Sequence, residues 1–276
     1  MTEEGFARQE VAIGAKVYFN QGVWWREMKP FYCWPLHLLH TINRGESKPP
    51  AIHSLIGYEH PVPEKDQANA VLPVIMMRNL RQYSIAGLSA KKRNQVRRGI
   101  GSFTIKPIDN IASLLEDGYY VNLSALRRQR WGGDRSHYSV RRKWVDGVEM
   151  TFGLAGRENW GAFMDGRLVA YLRAYQIDRV AYIYSMMSHS DYLSQYPNDG
   201  LIHKFLLACQ QEGTTDKVVF GLKCAKQSLN DYKMKFGFEE VGLPVWRHLN
   251  PVVKVVARHT RYRHYVEYKG GIDEVS

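Results

Sequence analysis

A mixed α/β fold, with a mostly antiparallel central sheet flanked by helices and a strand-rich extension ahead of it, is what this sequence predicts. Three observations carry the prediction. The run WGAFMDGRLVAYLRAY sets Asp165-Gly166, a preferred pair for a two-residue hairpin turn, between two alternating segments. VAYIYSMM, from Val180, supplies a third strand after a short break at Ile177-Asp178-Arg179. Near the C-terminus KVVFGL, Lys217 to Leu222, precedes QSLNDYKMKFGF, Gln227 to Phe238. The latter reads as a short helix stopped by a left-handed Gly237, with a strand beginning at Phe238.

Residues 1 to 85 are aromatic-rich and broken by prolines. AKVYFNQGVWWREMKPFYCWPL gives two strand-like runs about a Gln21-Gly22 turn, and Pro30 and Pro35 forbid a long helix. NRGESKPP and EHPVPEKDQAN read as exposed loops, while AIHSLIGY and AVLPVIMM are short strand candidates. Pro73 moves the second toward a sheet edge or a bulge. Trp24, Trp25, Phe31, Tyr32 and Trp34 form either part of a core or the lining of an acceptor groove. Next, Ser89 is placed to cap a basic helix, KKRNQVRR, that Gly99 and Gly101 should end, and FTIKPI alternates as a strand.

From Asp109 onward, Ile111, Leu114, Leu115 and Tyr119 recur at helical spacing until Gly132-Gly133. A second helical segment carries Trp144, Val148 and Phe152. In the hairpin, Ala162 and Met164 share a face with Leu168, Ala170 and Leu172 if the pairing follows the Asp165-Gly166 turn. In the third strand Tyr182 and Tyr184 should face one way and Ser185 the other. The loop SHSDYLSQYPNDG then leads to the helix LIHKFLLACQQEG. In the last helix Leu229, Tyr232 and Phe236 should pack on the sheet. The expected organisation is an extension over 1–98 and a larger domain over 99–276.

Composition narrows the class. The 276 residues are 45% hydrophobic, enough for a sizeable core, and the formal net charge is +11. That surplus favours polyanionic partners, and it is clustered in KKRNQVRR and between Arg127 and Lys143, where seven basic residues face Asp134 alone. MTEEGFARQE is unlike a secretory signal and no apolar run is long enough to span a bilayer, so the expected setting is cytoplasmic without membrane insertion. Cys33, Cys209 and Cys224 show no metal spacing and should be reduced and mostly buried. GxSxG, HExxH, Walker-type and paired-carboxylate patterns are absent, which argues against hydrolase, metalloenzyme and kinase chemistry.

Two stretches resemble one family. The aromatic-Lys-two-residues-Phe-Gly form of Tyr232 to Gly237, and the Leu-Ser-basic pattern from Leu88 to Arg98, resemble GNAT acyltransferases of the branch containing the FemAB aminoacyl transferases and their acyl-CoA-using relatives. The order of elements after residue 100 is also that of a GNAT domain. The resemblance implies an N-acyltransferase that uses acyl-CoA as co-substrate, needs no metal, and acylates an amine on a small or sugar-linked acceptor. It implies that two central strands splay to hold the thioester and that a helix start holds the pyrophosphate. The matching turn is Gln195 to Gly200, QYPNDG, followed by Leu201. Asn198 stands where the family has a glycine, and Asp199 would repel phosphate unless turned away as a helix cap.

The same resemblance puts Lys233 where a tyrosine acid often stands, with Tyr232 as the fallback. Burial would lower the lysine pKa and leave it able to stabilise an oxyanion or move a proton. Tyr184 and His189 are the base candidates, unless ordered water serves. Arg93, Arg97 and Arg98 would meet phosphates of a cofactor or of RNA, or form a basic surface helix that needs no ligand; Tyr182 and Trp34 would line the acceptor side. FemAB-type enzymes take their acyl group from aminoacyl-tRNA, which is the second donor class. About 100 residues ahead of the transferase half are too few for the second repeat of full FemAB enzymes, and that shortfall favours acyl-CoA. A third reading is a non-catalytic RNA- or membrane-surface binder, supported by KKRNQVRR, RRQRW and the tail from Lys254 to Lys269.

Overall fold

The computed structural model describes residues 1–128 and 136–253. In chain order the helices are α1 (Glu3–Ala12), α2 (Ala90–Ser102), α3 (Ile111–Ser113), α4 (Tyr119–Arg128), α5 (Ser136–Ser139), α6 (Arg141–Glu149), α7 (Pro197–Glu212) and α8 (Gln227–Met234). The strands are β1 (Val17–Asn20), β2 (Val23–Lys29), β3 (Tyr32–Pro35), β4 (Gly57–Pro61), β5 (Ala70–Met77), β6 (Thr104–Pro107), β7 (Arg157–Met164), β8 (Arg167–Ile177), β9 (Val180–Ser188), β10 (Lys217–Leu222) and β11 (Glu239–Leu249). The chain forms two compact units: Met1 with residues 75–239, and residues 2–74 with the segment from 240 onward. The Gly132-Gly133 break, the RRQRW end and the basic tail lie outside the described residues.

In the first unit the strands run in the order β6-β7-β8-β9-β10, and the Ile75–Met77 end of β5 follows β10. Pairing is antiparallel from β6 to β9 and parallel between β9 and β10. Helices cover both faces, so β8 is buried along seven consecutive residues. On one face α2 and α7 bring Val96, Leu201, Ile202 and Phe205 against Trp160, Leu172, Ile183 and Phe220. On the other face α4 and α6 bring Val121, Ala125, Trp144 and Val148 against Leu168, Tyr171 and Met187. A π-turn over Leu114–Gly118 widens the first of these helices, and Leu114 O there accepts the Trp144 indole N–H at 2.9 Å.

Asp165 and Gly166 form the expected turn, with φ of 50° and 78°. Two bulges then alter which side chains share a face. Between Ala162 and Phe163 the register slips, so Ala162 pairs with Ala170 but Phe163 pairs with Leu168. Leu168 therefore leaves the face of Ala162, Ala170 and Leu172 and joins Tyr171, contrary to simple alternation. Its freed N–H is accepted by Asp117 Oδ2 at 2.9 Å. The second slip sets Arg173 opposite Ser185 and Ala174 opposite Ile183, leaving Tyr184 extra on β9. Ser185 is thereby turned onto the face of Tyr182, Tyr184 and Arg173 rather than the opposite one.

Other expectations are also revised. Helix α2 runs through Gly99 and Gly101 to Ser102. Gly99 is a crossing point rather than a stop: a Cβ there would lie 2.4 Å from Tyr196 O and 3.0 Å from Gly200 N. Ser89 caps α2 as expected, accepting Lys92 N–H at 3.3 Å. Phe236, just past the end of α8, is fully buried, but Leu229 within it is exposed. Asn230 is buried instead, and its amide holds Cys224 N and O at 3.0 and 2.7 Å, fixing the loop between β10 and α8.

In the second unit the order is β1-β2-β3-β4-β11, with the Ala70–Val74 part of β5 beside β11. The Gln21-Gly22 turn between β1 and β2 forms as expected. Of AIHSLIGY, Ala51–His53 is a single 3₁₀ turn, and the strand is β4, which starts at Gly57 and runs into the stretch expected as a loop. The strand containing Pro73 forms as expected, over Ala70–Met77. The buried ion pair Glu59–Arg247 (2.5 Å), and Arg26 reaching from the surface to the buried Glu10 (3.0 Å), tie this unit together. Cys33 and Cys209 are buried, Cys224 is half-buried, and all three are free thiols.

The Gly99 crossing makes a specific expectation. Gly99→Ala should cost about 1–3 kcal/mol through overpacking, measured by urea denaturation. Gly101, with open space around its Cβ position, should gain roughly 0.5–1 kcal/mol as alanine in the same helix.

Candidate active site

The first unit has a break in its ladder. β9 and β10 pair only through Val180–Tyr182 and Lys217–Val219. β9 continues to Ser188 beside β8, and β10 continues to Leu222 with Gly221 at φ +82°. Where parallel strands part, facing N–H and C=O groups lose their ladder partners and become available to a substrate. Lys233 Nζ donates to Phe220 O at 2.7 Å and lies 4.9 Å from the Phe220 ring centroid. Burial pushes the Lys233 ammonium below its ordinary pKa. An ammonium has three donors, so two remain after the bond to Phe220.

Tyr232, one residue earlier, serves elsewhere. Its hydroxyl donates to Asp199 Oδ1 at 2.7 Å, while Lys92 Nζ donates to Asp199 Oδ2 at 2.8 Å. Lys92 and Asp199 side chains are each 4% exposed, and Lys92 Nζ sits 4.7 Å from the centroids of both the Tyr232 and Phe236 rings. Burial, and then the Asp199 charge, push the Tyr232 phenol well above its usual pKa. Behind this group Tyr83 Oη meets His203 Nδ1 at 2.8 Å. Burial lowers the His203 pKa and raises that of Tyr83. Lys92 was invisible as a site residue in the sequence, because nothing in KKRNQVRR separates the one buried cation from its exposed neighbours. The helical period does so only once Val96 and Gly99 are known to face inward.

The start of α7 is the turn expected to hold a pyrophosphate. Tyr196 takes a left-handed conformation (φ 60°) and Pro197 opens the helix. A helix start normally offers four unpaired N–H groups. Here Pro197 has none, Tyr196 N–H goes to Leu193 O at 3.1 Å and Asp199 N–H to Tyr196 O at 3.1 Å, while Gly200 N–H makes the first regular helical bond, also to Tyr196 O, at 3.3 Å. Helix α2 crosses directly over this turn through Gly99. Asn198 donates from Nδ2 to Ser188 Oγ at 3.2 Å. Leu201 is fully buried in the core, and Gln195 is the last residue of the preceding 3₁₀ turn, half-buried. Asp199 is thus turned away from solvent, as a carboxylate there must be, but its partners are Lys92 and Tyr232.

The remaining candidates are dispersed. Arg93 Nη1 donates to Ala86 O and Leu88 O at 3.2 and 2.5 Å and stitches the entry to α2. Arg97 and Arg98 are exposed, and the Arg98 guanidinium lies 5.8 Å from the Tyr196 ring centroid. His189 caps the next turn, with Nδ1 3.4 Å from Asp191 N. Tyr182 stacks on Tyr175 at 5.0 Å, and Tyr184 lies beside it on the α4 and α6 face of the sheet. Trp34 belongs to the second unit, on β3 opposite Arg26. Among the described residues no group of three or more His, Cys, Asp or Glu side chains is placed to hold a metal ion, and no helix is long and apolar enough to cross a membrane.

Against solved structures, the chain is similar to FemX, with a TM-score of 0.63 and 8% identity over 93% of each chain. It is also similar to the C-terminal DUF2156 domain of an Agrobacterium fabrum protein named as a lysylphosphatidylglycerol synthetase. That match has a TM-score of 0.56 and 12% identity, over 91% of this chain and 89% of the other. At these identities the likeness is one of fold. The FemX match spans nearly the whole of both chains, which removes the argument that this chain is too short for that architecture. No family model and no curated protein matches the sequence.

The buried triad makes a separable prediction. Asp199→Leu or Lys92→Met alone should cost about 3–5 kcal/mol because each strands a buried charge, whereas the double variant should recover most of that loss. A double-mutant cycle by urea denaturation measures the difference.

Proposed function

We propose that this protein is a transferase that moves an aminoacyl group from an aminoacyl-tRNA ester to an amine. The observation that carries the reading is the parting of β9 and β10 beyond Tyr182 and Val219, with the Lys233 ammonium bonded to the carbonyl of Phe220, the next residue of β10. A parted pair of strands offers unpaired backbone groups to an extended acyl chain, and an ammonium beside them suits a developing oxyanion. In the reaction the acceptor nitrogen attacks the ester carbonyl. The new C–N bond forms and the C–O bond to the ribose breaks. The proton lost by nitrogen balances the one taken up by the leaving hydroxyl, and Lys233 is the residue positioned to stabilise the oxyanion between the two steps. A side-chain base is not required where water carries that proton.

The start of α7 supports an ester donor over acyl-CoA. Its first residue is proline, its Asp199 N–H goes to Tyr196 O, and α2 lies across it. A pyrophosphate would find few of the donors that make a helix start attractive to phosphate. The exposed Lys91, Arg97 and Arg98 on α2 favour a polyanionic donor in the same unit. The resemblance of Tyr232–Gly237 and Leu88–Arg98 is to a branch that holds both donor classes and does not choose between them. The lysylphosphatidylglycerol synthetase name of the second fold relative adds an aminoacyl product on the same scaffold.

The test is transfer of radiolabelled amino acid from charged tRNA to an amine acceptor, run beside thiol release from acetyl-CoA and a long-chain acyl-CoA. The expected result is aminoacyl transfer without thiol release; thiol release with saturation kinetics would return the donor to acyl-CoA. Lys233→Ala should lower turnover by roughly 10²–10³ with its circular dichroism unchanged. Because burial lowers the Lys233 pKa, wild-type turnover should fall as pH rises through that lowered value, where the ammonium is lost. Lys233→Arg should shift that fall to higher pH.

A further inference from the structure

A buried cation on the opposite face of the sheet has no counter-charge. Arg173 is 6% exposed, yet no carboxylate lies within ion-pair distance of it among the described residues. Its Nε donates to Asn159 Oδ1 at 3.0 Å and its Nη2 to Thr151 Oγ1 at 2.7 Å. Thr151 in turn donates to Gly147 O at 2.7 Å, so both partners hold the guanidinium in place without neutralising it. The Trp144 and Tyr184 rings flank it, 5.6 and 5.4 Å from its centre. Buried charges are ordinarily paired, and ring faces offset only part of the cost of leaving one unpaired.

Two neighbouring polar groups are incomplete in the same cluster. Ser185 sits opposite Arg173 at the second bulge, 7% exposed, and its buried Oγ has no hydrogen-bond partner among the described residues. Asn122 is fully buried; its Oδ1 accepts the Tyr171 hydroxyl, and its Nδ2 has no partner. Burial pushes the Tyr171 phenol pKa far up, so it adds no charge here. The unmet groups are therefore one cation, one amide N–H₂ and one hydroxyl. One unit of negative charge with two acceptor oxygens would complete them. Tyr184, 42% exposed, is the side of the cluster that reaches solvent. Tyr184 and Ser185 belong to the length of β9 that has already left β10.

We infer that Arg173, with Ser185 and Asn122, binds the carboxylate of the amine acceptor, so that the acceptor is an amino acid or a compound carrying the same amine-plus-carboxylate pair. The inference rests on the transferase reading for the role of the ligand but not for its binding. A carboxylate matches the charge and the planar fork of the Arg173 guanidinium; Arg157, beside Tyr184 and Tyr175, is a second cation at the edge of the cluster. The bulge is what brings Ser185 to it: one extra residue on β9 re-aims the hydroxyl from the core face to this one.

The experiment is calorimetric and saturation-transfer NMR titration, in the absence of any donor, with the free L-amino acids, their decarboxylated amines, acetate and inorganic phosphate. At least one amino acid should bind saturably and its decarboxylated amine roughly ten- to a hundredfold more weakly, the worth of a charge-assisted hydrogen-bonded pair. Arg173→Met should abolish that discrimination, and Ser185→Ala should weaken the amino acid severalfold at unchanged Tm. If Arg173→Met fails to fold, the wild-type comparison and Ser185→Ala decide. Equal binding of amino acid and amine, binding by none, or Arg173-dependent binding of inorganic phosphate in preference to carboxylates would each overturn the assignment. Carboxylate binding in a chain that transfers no aminoacyl group would overturn the transferase reading and leave this site standing.

Discussion

The Lys92–Asp199 ion pair is the constraint around which the first unit's functional end is arranged. Each charge is expensive to bury, and each is tolerable only because the other is within 2.8 Å. The pair joins α2 to the first turn of α7, and the Tyr232 hydroxyl on Asp199 adds α8. Gly99 is the steric counterpart: without it α2 could not come close enough for Lys92 to reach inward. The carboxylate at this helix start is thereby turned inward, to Lys92 and Tyr232.

Tyr232 and Lys233 show how one helical turn divides its labour. Adjacent residues on α8 point about 100° apart, so one reaches Asp199 on α7 and the other Phe220 O on β10. The tyrosine is a structural donor, neutral under all ordinary conditions, and the lysine keeps spare donors at the place where the ladder ends. Anchoring is what lets the neighbour be free: Phe236 and Tyr232 fix the helix, and Asn230 fixes the loop ahead of it.

Much of this architecture was legible in the sequence, for identifiable reasons. The Asp165-Gly166 turn, the Ser89 cap and the Gly237 stop are local rules, and each holds where its residues stand. The succession of strands and helices after residue 100 follows from periodicity alone. The site was legible only in part. Lys233 could be marked by spacing, but Lys92 is one basic residue among many until its helix is packed. Arg173 reads as the polar interruption of an alternating strand, and only a sheet covered on both faces makes it a buried charge. Both bulges escaped notice because alternation carries no mark of the residue at which it slips.

The bulge on β9 has a consequence for how such a chain changes over time. Substitution alters what a position offers, but a bulge is a matter of counting. Removing the one supernumerary residue at Tyr184 would restore an unbroken ladder and return the next side chain to the opposite face, with every other residue unchanged. Two relatives could then carry the same serine and the same arginine and differ in whether they meet. On this scaffold the gain or loss of a single codon is as direct a route to a new specificity as any exchange of side chains.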